Sequence, residues 1–329
     1  METFIANRKA LSRFVRVALL AIVSIFTMGG AAQSQTTSRQ DDNFSIVRDL
    51  KLPIYTWRKL DTAPKAIIVG FHGGCLHGRA YRYLAEKLVD QDYLFVSMDL
   101  RGFGKYYHSN FGDKRDKKVH YKHSMVDFYL VMKELRAAYP GIPVYSLGES
   151  LGANMALYSA MSRPDLVDGV IAISPFDRPK YFFSMYHLVA VPQAIFLPWT
   201  QINLNPYLSK RLTSDVEMSL EEVNDPLNRN HQSSIELTKC VGMLYRGRRL
   251  VNSIEKNKPI LFLCDEADKM CDAHGSRMLF QSLQSKDKTY IQIKDSGHLL
   301  VEKSRIHPDT LNAIAGWLDQ KTKVMVSKK

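Results

Sequence analysis

The sequence predicts an α/β protein, with a mostly parallel sheet flanked by helices on both faces and an inserted helical cap. Three observations carry this. Short apolar runs alternate with helical periodicity from Lys65 to Ser174, the alternation breaks down between Pro175 and about Val251, and it returns at Pro259. A chain that alternates strand and helix closes by parallel crossovers, because each helix returns the chain to the same edge of the sheet.

The elements follow in order. Lys65 to Phe71 reads as a buried strand ending in the turn His72-Gly73-Gly74. Tyr81, Leu84, Ala85 and Leu88 recur at helical spacing, so Tyr81 to Asp90 is expected to be a helix. A strand over Tyr93 to Met98 runs into Asp99-Leu100-Arg101-Gly102-Phe103-Gly104. A long amphipathic helix from His123 to Tyr139 stops at Pro140-Gly141. Then come a strand (Pro143 to Leu147), a helix (Leu151 to Met161) and a strand (Val167 to Ser174). The Pro-, Met- and aromatic-rich stretch 175–251 is read as a cap of short helices inserted into a core of 44–174 and 252–329. Strands at Pro259 to Cys264 and Lys288 to Ile293, with helices at Gly275 to Ser285 and Asp309 to Leu318, complete the core.

A chain of 329 residues with 45% hydrophobic residues buries a substantial core. Its first 32 residues are set apart from the fold. Arg8, Lys9, Arg13 and Arg16 precede a twelve-residue apolar run, Val17 to Met28, and small residues through Ala32. Such a run fits a secretory signal and falls short of the roughly 20 residues that span a bilayer. Cleavage near Ala32 would leave a polar, mobile leader at 33–43 and an exported protein; an uncleaved anchor or an organellar transit peptide are the alternatives. Without this segment the formal charge falls from +12 to about +9. No run of five like charges and no aromatic-interleaved basic stripe occurs, so nucleic acid is not an expected partner. Cys75, Cys240, Cys264 and Cys271 match no zinc signature; they are read as mostly buried free thiols, with Cys264 and Cys271 the nearest possible pair.

The chemistry is concentrated at Gly148-Glu149-Ser150-Leu151-Gly152, between a predicted strand and a predicted helix. G-x-S-x-G in that context is a nucleophile elbow: the turn strains the serine backbone and lifts its hydroxyl above the sheet edge, while Gly148 and Gly152 admit the neighbouring chain. The α/β-hydrolase order of serine, acid, histidine selects the partners. His298, in Asp295-Ser296-Gly297-His298 just after a strand, is the expected base. Asp268, at the usual offset from the preceding strand, is the expected acid, with Asp272 second and Asp265 and Glu266 read as loop surface. The oxyanion donors are expected to be the N–H groups of Leu151 and Gly74. His72 and His77 are read as structural. Cys75 has no histidine–acid pair left to activate it. No metal or organic cofactor is required. Dehalogenase and epoxide hydrolase chemistry would need Asp at the elbow.

On these residues the chain resembles the monoacylglycerol lipase and lysophospholipase group of α/β-hydrolases, from about Ile54 to Leu318. His72 to Tyr81 is similar to that group's H-G-x-G-x-H-x-x-R-Y, with Arg79 one position early and Cys75 replacing a glycine. Asp99 to Gly104 resembles its D-x-x-G-x-G turn, and Ala267 to Asp272 with Lys286 to Thr289 and Gly297-His298 resembles its acid-to-histidine region. The resemblance implies a lipid ester substrate, selects Asp268 over Asp272 and makes Cys271 a family cysteine. Glu149 departs from the histidine common at that elbow position. The cap matches only loosely; its Tyr181 to Trp199 segment is expected to line an acyl channel or touch a membrane, or else to be ordinary cap core. The alternatives are a small-ester esterase, a thioesterase, a proline-type aminopeptidase using the cap acids Glu217, Glu221 and Glu222, and a catalytically dead binding module.

Overall fold

The computed structural model describes residues 39–40, 44–177, 192 and 195–327. The expected signal segment, all but two residues of the expected leader, and most of Tyr181 to Trp199 lie outside them. Among the described residues no helix is long and apolar enough to cross a membrane.

The strands are β1 (Arg39–Gln40), β2 (Ile54–Arg58), β3 (Ile67–Phe71), β4 (Leu94–Met98), β5 (Val144–Glu149), β6 (Gly169–Ile173), β7 (Gln201–Asn203), β8 (His231–Ser233), β9 (Ile260–Asp265) and β10 (Lys288–Ile293). Eight form one sheet in the order β1-β2-β4-β3-β5-β6-β9-β10. From β4 to β10 every pairing is parallel; β1 and β2 add an antiparallel edge. The core helices are α1 (Ser45–Arg48), α2 (Arg82–Val89), α3 (Gly104–His108), α4 (Tyr121–Ala138) and α5 (Leu151–Ser162). The insertion carries α6 (Asn205–Leu208), α7 (Val216–Val223) and α8 (Ser234–Leu250), and α9 (Ala273–Ser282) and α10 (Pro308–Ser327) follow.

The parallel strands are apolar on both faces because helices cover both. Alternate residues divide cleanly. Ile67, Val69, Val96, Val170 and Phe262 pack into one cluster with α4 and α5, whereas Ile68, Phe95, Leu147, Ile171 and Leu263 pack into another with α2 and α10. The period of two along each strand therefore builds two cores on one scaffold.

Three features differ from the expectation. β2 is an additional strand. It has no crossover helix to announce it, and it is held by burial of Trp57 and by the Tyr55 hydroxyl, which donates to Asp99 at 3.1 Å. Arg39 and Gln40, placed in a mobile leader, pair with Arg58 and Trp57. The insertion is not made of short helices alone, since it holds the antiparallel ribbon β7–β8 and the 17-residue α8. A capping box at Ser233 and Glu236 starts α8, the two side chains satisfying each other's free backbone N–H groups.

The elbow depends on absent side chains. A Cβ on Gly152 would overlap the carbonyl of Phe71, and one on Gly148 would overlap the backbone of Gly152. Gly152→Ala is expected to lower stability by about 3 kcal/mol or more, since backbone cannot yield as a side chain can. Urea denaturation of the variant beside wild type measures this.

Candidate active site

The site lies at the carboxyl ends of the parallel strands, where loops from several strands converge. Ser150 joins β5 to α5 with φ 55° and ψ −120°, a conformation that costs a non-glycine residue about 1–2 kcal/mol. Its N–H is held by the Ile173 carbonyl at 2.9 Å. As N-cap of α5, Ser150 lies at the positive end of the helix dipole.

The structure brings Ser150, His298 and Asp268 into one hydrogen-bonded series. Ser150 Oγ lies 2.8 Å from His298 Nε2, and His298 Nδ1 lies 2.8 Å from Asp268 Oδ2. His298 and Asp268 are buried. The other Asp268 oxygen accepts the N–H groups of Met270 and Cys271 at 2.7 and 2.9 Å, which fixes the carboxylate plane. Burial pulls the His298 pKa down, but the Asp268 charge, its hydrogen bond and the Glu149 charge outweigh it, leaving His298 above its ordinary value. Asp272 is not in this series; it caps α9 through the N–H of His274.

Gly74 and Leu151 stand side by side, with Leu151 Cδ2 at 4.0 Å from where a Cβ on Gly74 would lie. Among the described residues neither N–H is spent on a backbone partner within the chain. His72 carries the loop to them. Its Nε2 accepts the N–H of Leu100 at 2.9 Å, so Nδ1 holds the proton and donates to the Gly73 carbonyl at 2.8 Å. Burial lowers its pKa to about 3, which keeps it neutral. Asp99 closes the other end of the D-x-x-G-x-G turn, accepting from Gly78 and Lys105 N–H at 2.8 and 2.7 Å. Gly104, at φ 49°, leaves room for that carboxylate.

Cys75 occupies a left-handed position, φ 71°, which explains the glycine preferred there in the resembling group. The insertion holds it in place: Arg229 N–H donates to its carbonyl at 2.8 Å, and the Gln232 amide lies 3.1 Å from its sulfur. Nearby, His77 Nε2 meets Asp225 at 3.3 Å. Burial pushes the Cys75 thiol up to about 12, so it is no nucleophile. All four cysteines are unbonded. Asp268, Cys271 and His298 form the one cluster of possible metal donors among the described residues. Its chemistry does not fit a metal: burial and the Asp268 charge hold Cys271 as a neutral thiol, and the other two donors are occupied with each other.

Core and insertion together enclose a cavity of about 200 Å³ above Ser150. Leu204, Leu208, Leu212, Leu237 and Leu244 of the insertion face Leu76, Leu151 and Leu299 of the core, and no acidic residue lines it among the described residues. Tyr121, Tyr207 and Gln232 also line it, and no motif marked them in the sequence. Glu221 and Glu222 are elsewhere, bound to the hydroxyl and N–H of Ser304 at 3.1 and 3.3 Å.

Two acids were misjudged or unseen in the sequence. Asp265 is buried, not loop surface: one oxygen accepts the N–H groups of Ser296 and Gly297 at 2.7 and 2.8 Å, and the other accepts that of Ala267 at 2.8 Å. It therefore shapes both the acid loop and the histidine loop. An acid ending an otherwise apolar strand was the available signal. Glu302, with no motif around it, accepts the Gly73 N–H through both oxygens, at 3.0 and 2.8 Å. Glu149 turns away from the substrate side and accepts the N–H groups of Leu300, Val301 and Glu302.

Asp265→Ala strands three donors, so a loss of about 3 kcal/mol is expected. Glu266→Ala, which removes an exposed ion pair with Arg277, should cost under about 1 kcal/mol. Paired urea melts distinguish them.

Known proteins resemble this chain in sequence and in fold. The human monoglyceride lipase is 27% identical over 278 residues, covering 81% of this chain and 86% of that protein. The crystal structure of Paleococcus ferrophilus monoacylglycerol lipase superposes with a TM-score of 0.66 at 25% identity, covering 82% of this chain and 98% of its own. A soluble variant of the Saccharomyces cerevisiae monoglyceride lipase, solved with a substrate analog, shares the fold at a TM-score of 0.68 and 19% identity, over 83% and 92% of the chains. Residues 62–304 match the hydrolase family described as serine aminopeptidase, S33, and with its elbow, sheet order and loop arrangement the chain belongs to that family of α/β-hydrolases.

Proposed function

We propose that the chain is a serine ester hydrolase acting on lipid monoesters, monoacylglycerol first and lysophospholipid second, through an acyl-enzyme on Ser150. The observation that carries this is the placement of Ser150 Oγ, 2.8 Å from His298, at the floor of an apolar cavity. His298 takes the hydroxyl proton as Ser150 attacks the ester carbonyl. The N–H groups of Gly74 and Leu151 receive the developing oxyanion. His298 then protonates the leaving alcohol, and water repeats the sequence to release the acid. Asp268 holds the imidazole in the tautomer this requires.

The family is described as a peptidase, yet an aminopeptidase needs a carboxylate to hold the substrate amine. The cavity has none among the described residues, and residues 178–194 contain no Asp or Glu. An apolar acyl chain fits better. Ile195, Phe196, Leu197 and Trp199 stand exposed on the insertion, between 58% and 77%. Together with the basic chain they support docking on a lipid surface. The basic and apolar opening of the sequence supports export.

Turnover of a monoacylglycerol series by wild type, lost in Ser150→Ala, is the expected result; cleavage of short soluble esters alone would leave the chemistry and remove the lipid substrate. Asp268→Asn should lower kcat about 10⁴-fold. Because the base must be neutral and His298 is raised, kcat/KM of wild type should fall on the acid side through a midpoint above 6.5, and in Asp268→Asn that midpoint should move down. Phe196→Asp with Trp199→Asp should reduce turnover of vesicle-borne substrate and spare a soluble ester.

A further inference from the structure

Glu149 and Glu302 are both fully buried, and among the described residues no Lys, Arg or His nitrogen lies within 4 Å of either carboxyl. A buried acid without a counter-cation is costly, and it persists where its hydrogen bonds do something a neutral apolar side chain cannot. The bonds here run between three loops. Glu149, inside the nucleophile elbow, accepts the N–H groups of Leu300 and Val301, and that of Glu302 at 2.8 Å, in the loop just beyond His298. Glu302 in turn accepts the Gly73 N–H through both oxygens, one residue before Gly74. A Cβ on Gly73 would lie only 2.9 Å from Glu302 Oε2 and 3.4 Å from the Glu149 carbonyl, so this glycine admits the contact.

We infer that Glu149 and Glu302 are positioning residues for the hydrolysis: a carboxyl chain that ties the histidine loop to the nucleophile elbow and the oxyanion loop to the histidine loop. The inference rests on the Ser150 hydrolase reading. Neither carboxyl touches substrate. Glu149 sets where the backbone leaving His298 runs, and Glu302 sets where Gly73, and so the Gly74 N–H, stands relative to Ser150. Burial, then the Glu149 charge, raises the Glu302 carboxyl well above the usual carboxylate range, and an amide oxygen can take its place as acceptor for the Gly73 N–H. The groups facing the pair are His298, Lys303, Glu222 and Tyr81.

The test uses the full chain, a soluble p-nitrophenyl ester, and only the turnover that Ser150→Ala abolishes. Glu302→Gln keeps an acceptor for Gly73 N–H, and Glu302→Met keeps the volume without one. The expected result is kcat within threefold of wild type for Glu302→Gln and about 100-fold lower for Glu302→Met, with KM unchanged within twofold, as for a misplaced oxyanion donor. The rate of inactivation by a phosphonate ester should fall with kcat, because its phosphoryl oxygen uses the same hole. Should Glu302→Met not fold, Glu302→Asp, which draws the acceptors back by one carbon, carries the same prediction. Wild-type kcat in Glu302→Met or Glu302→Asp, or equal losses in Glu302→Gln and Glu302→Met, overturns the assignment. Retained activity in Ser150→Ala would instead remove the hydrolase reading on which it rests.

Discussion

The close approach of α5 to the turn after β3 governs the rest of the structure. Gly152 lets the Phe71 carbonyl sit where any side chain would be, so the helix starts directly beneath the loop that carries Gly73 and Gly74. That contact forces the chain through the left-handed conformation at Ser150, and the strain is held by the Ile173 carbonyl behind it. Nucleophile, helix dipole and oxyanion loop thus share one geometric cause. The cost, about 1–2 kcal/mol of backbone strain, is small beside the two cores packed on the sheet.

Around the elbow, buried carboxyl groups are used as structure. Asp99, Glu149, Asp265 and Glu302 are buried, and each accepts backbone N–H groups from a loop that bears on the site. Loops cannot satisfy their own buried donors as helices and strands do, so side-chain oxygens take that part. A carboxyl offers more acceptor sites than a hydroxyl or an amide, and Asp265 binds three N–H groups at once. Asp268 alone turns one oxygen to the histidine while the other holds its own loop.

The insertion is fastened to the same loops that form the site. Leu299 N–H donates to the Leu212 carbonyl at 2.7 Å, and Arg229 N–H reaches Cys75. Buried Arg229 also pairs with Glu236, donates to the Gly102 carbonyl at 2.8 Å and stacks on Tyr107. The apolar cluster of Cys75, Leu76, Ile202, Leu204, Leu208, Leu212, Val223 and Leu299 fills the seam. The cavity is the hollow left in that seam above Ser150.

Periodicity in the sequence was enough to determine the alternating core, because buried parallel strands and amphipathic helices each leave a local pattern. The elbow was legible for a similar reason: strain and close approach demand particular residue types at fixed spacing, as at Gly148, Ser150 and Gly152. His298 and Asp268 could be chosen because the fold's chain order restricts them to loops after late strands. Only the tertiary structure decided the rest. Asp265 and Glu302 bind amides 31 and 229 residues away, and no local pattern reports such a partner. Antiparallel β2 and the β7–β8 ribbon depend on pairing rather than on helical crossovers. The site's acids thus divide by range: Asp268 answers to a motif, whereas the carboxyls that hold its neighbours in place answer to packing.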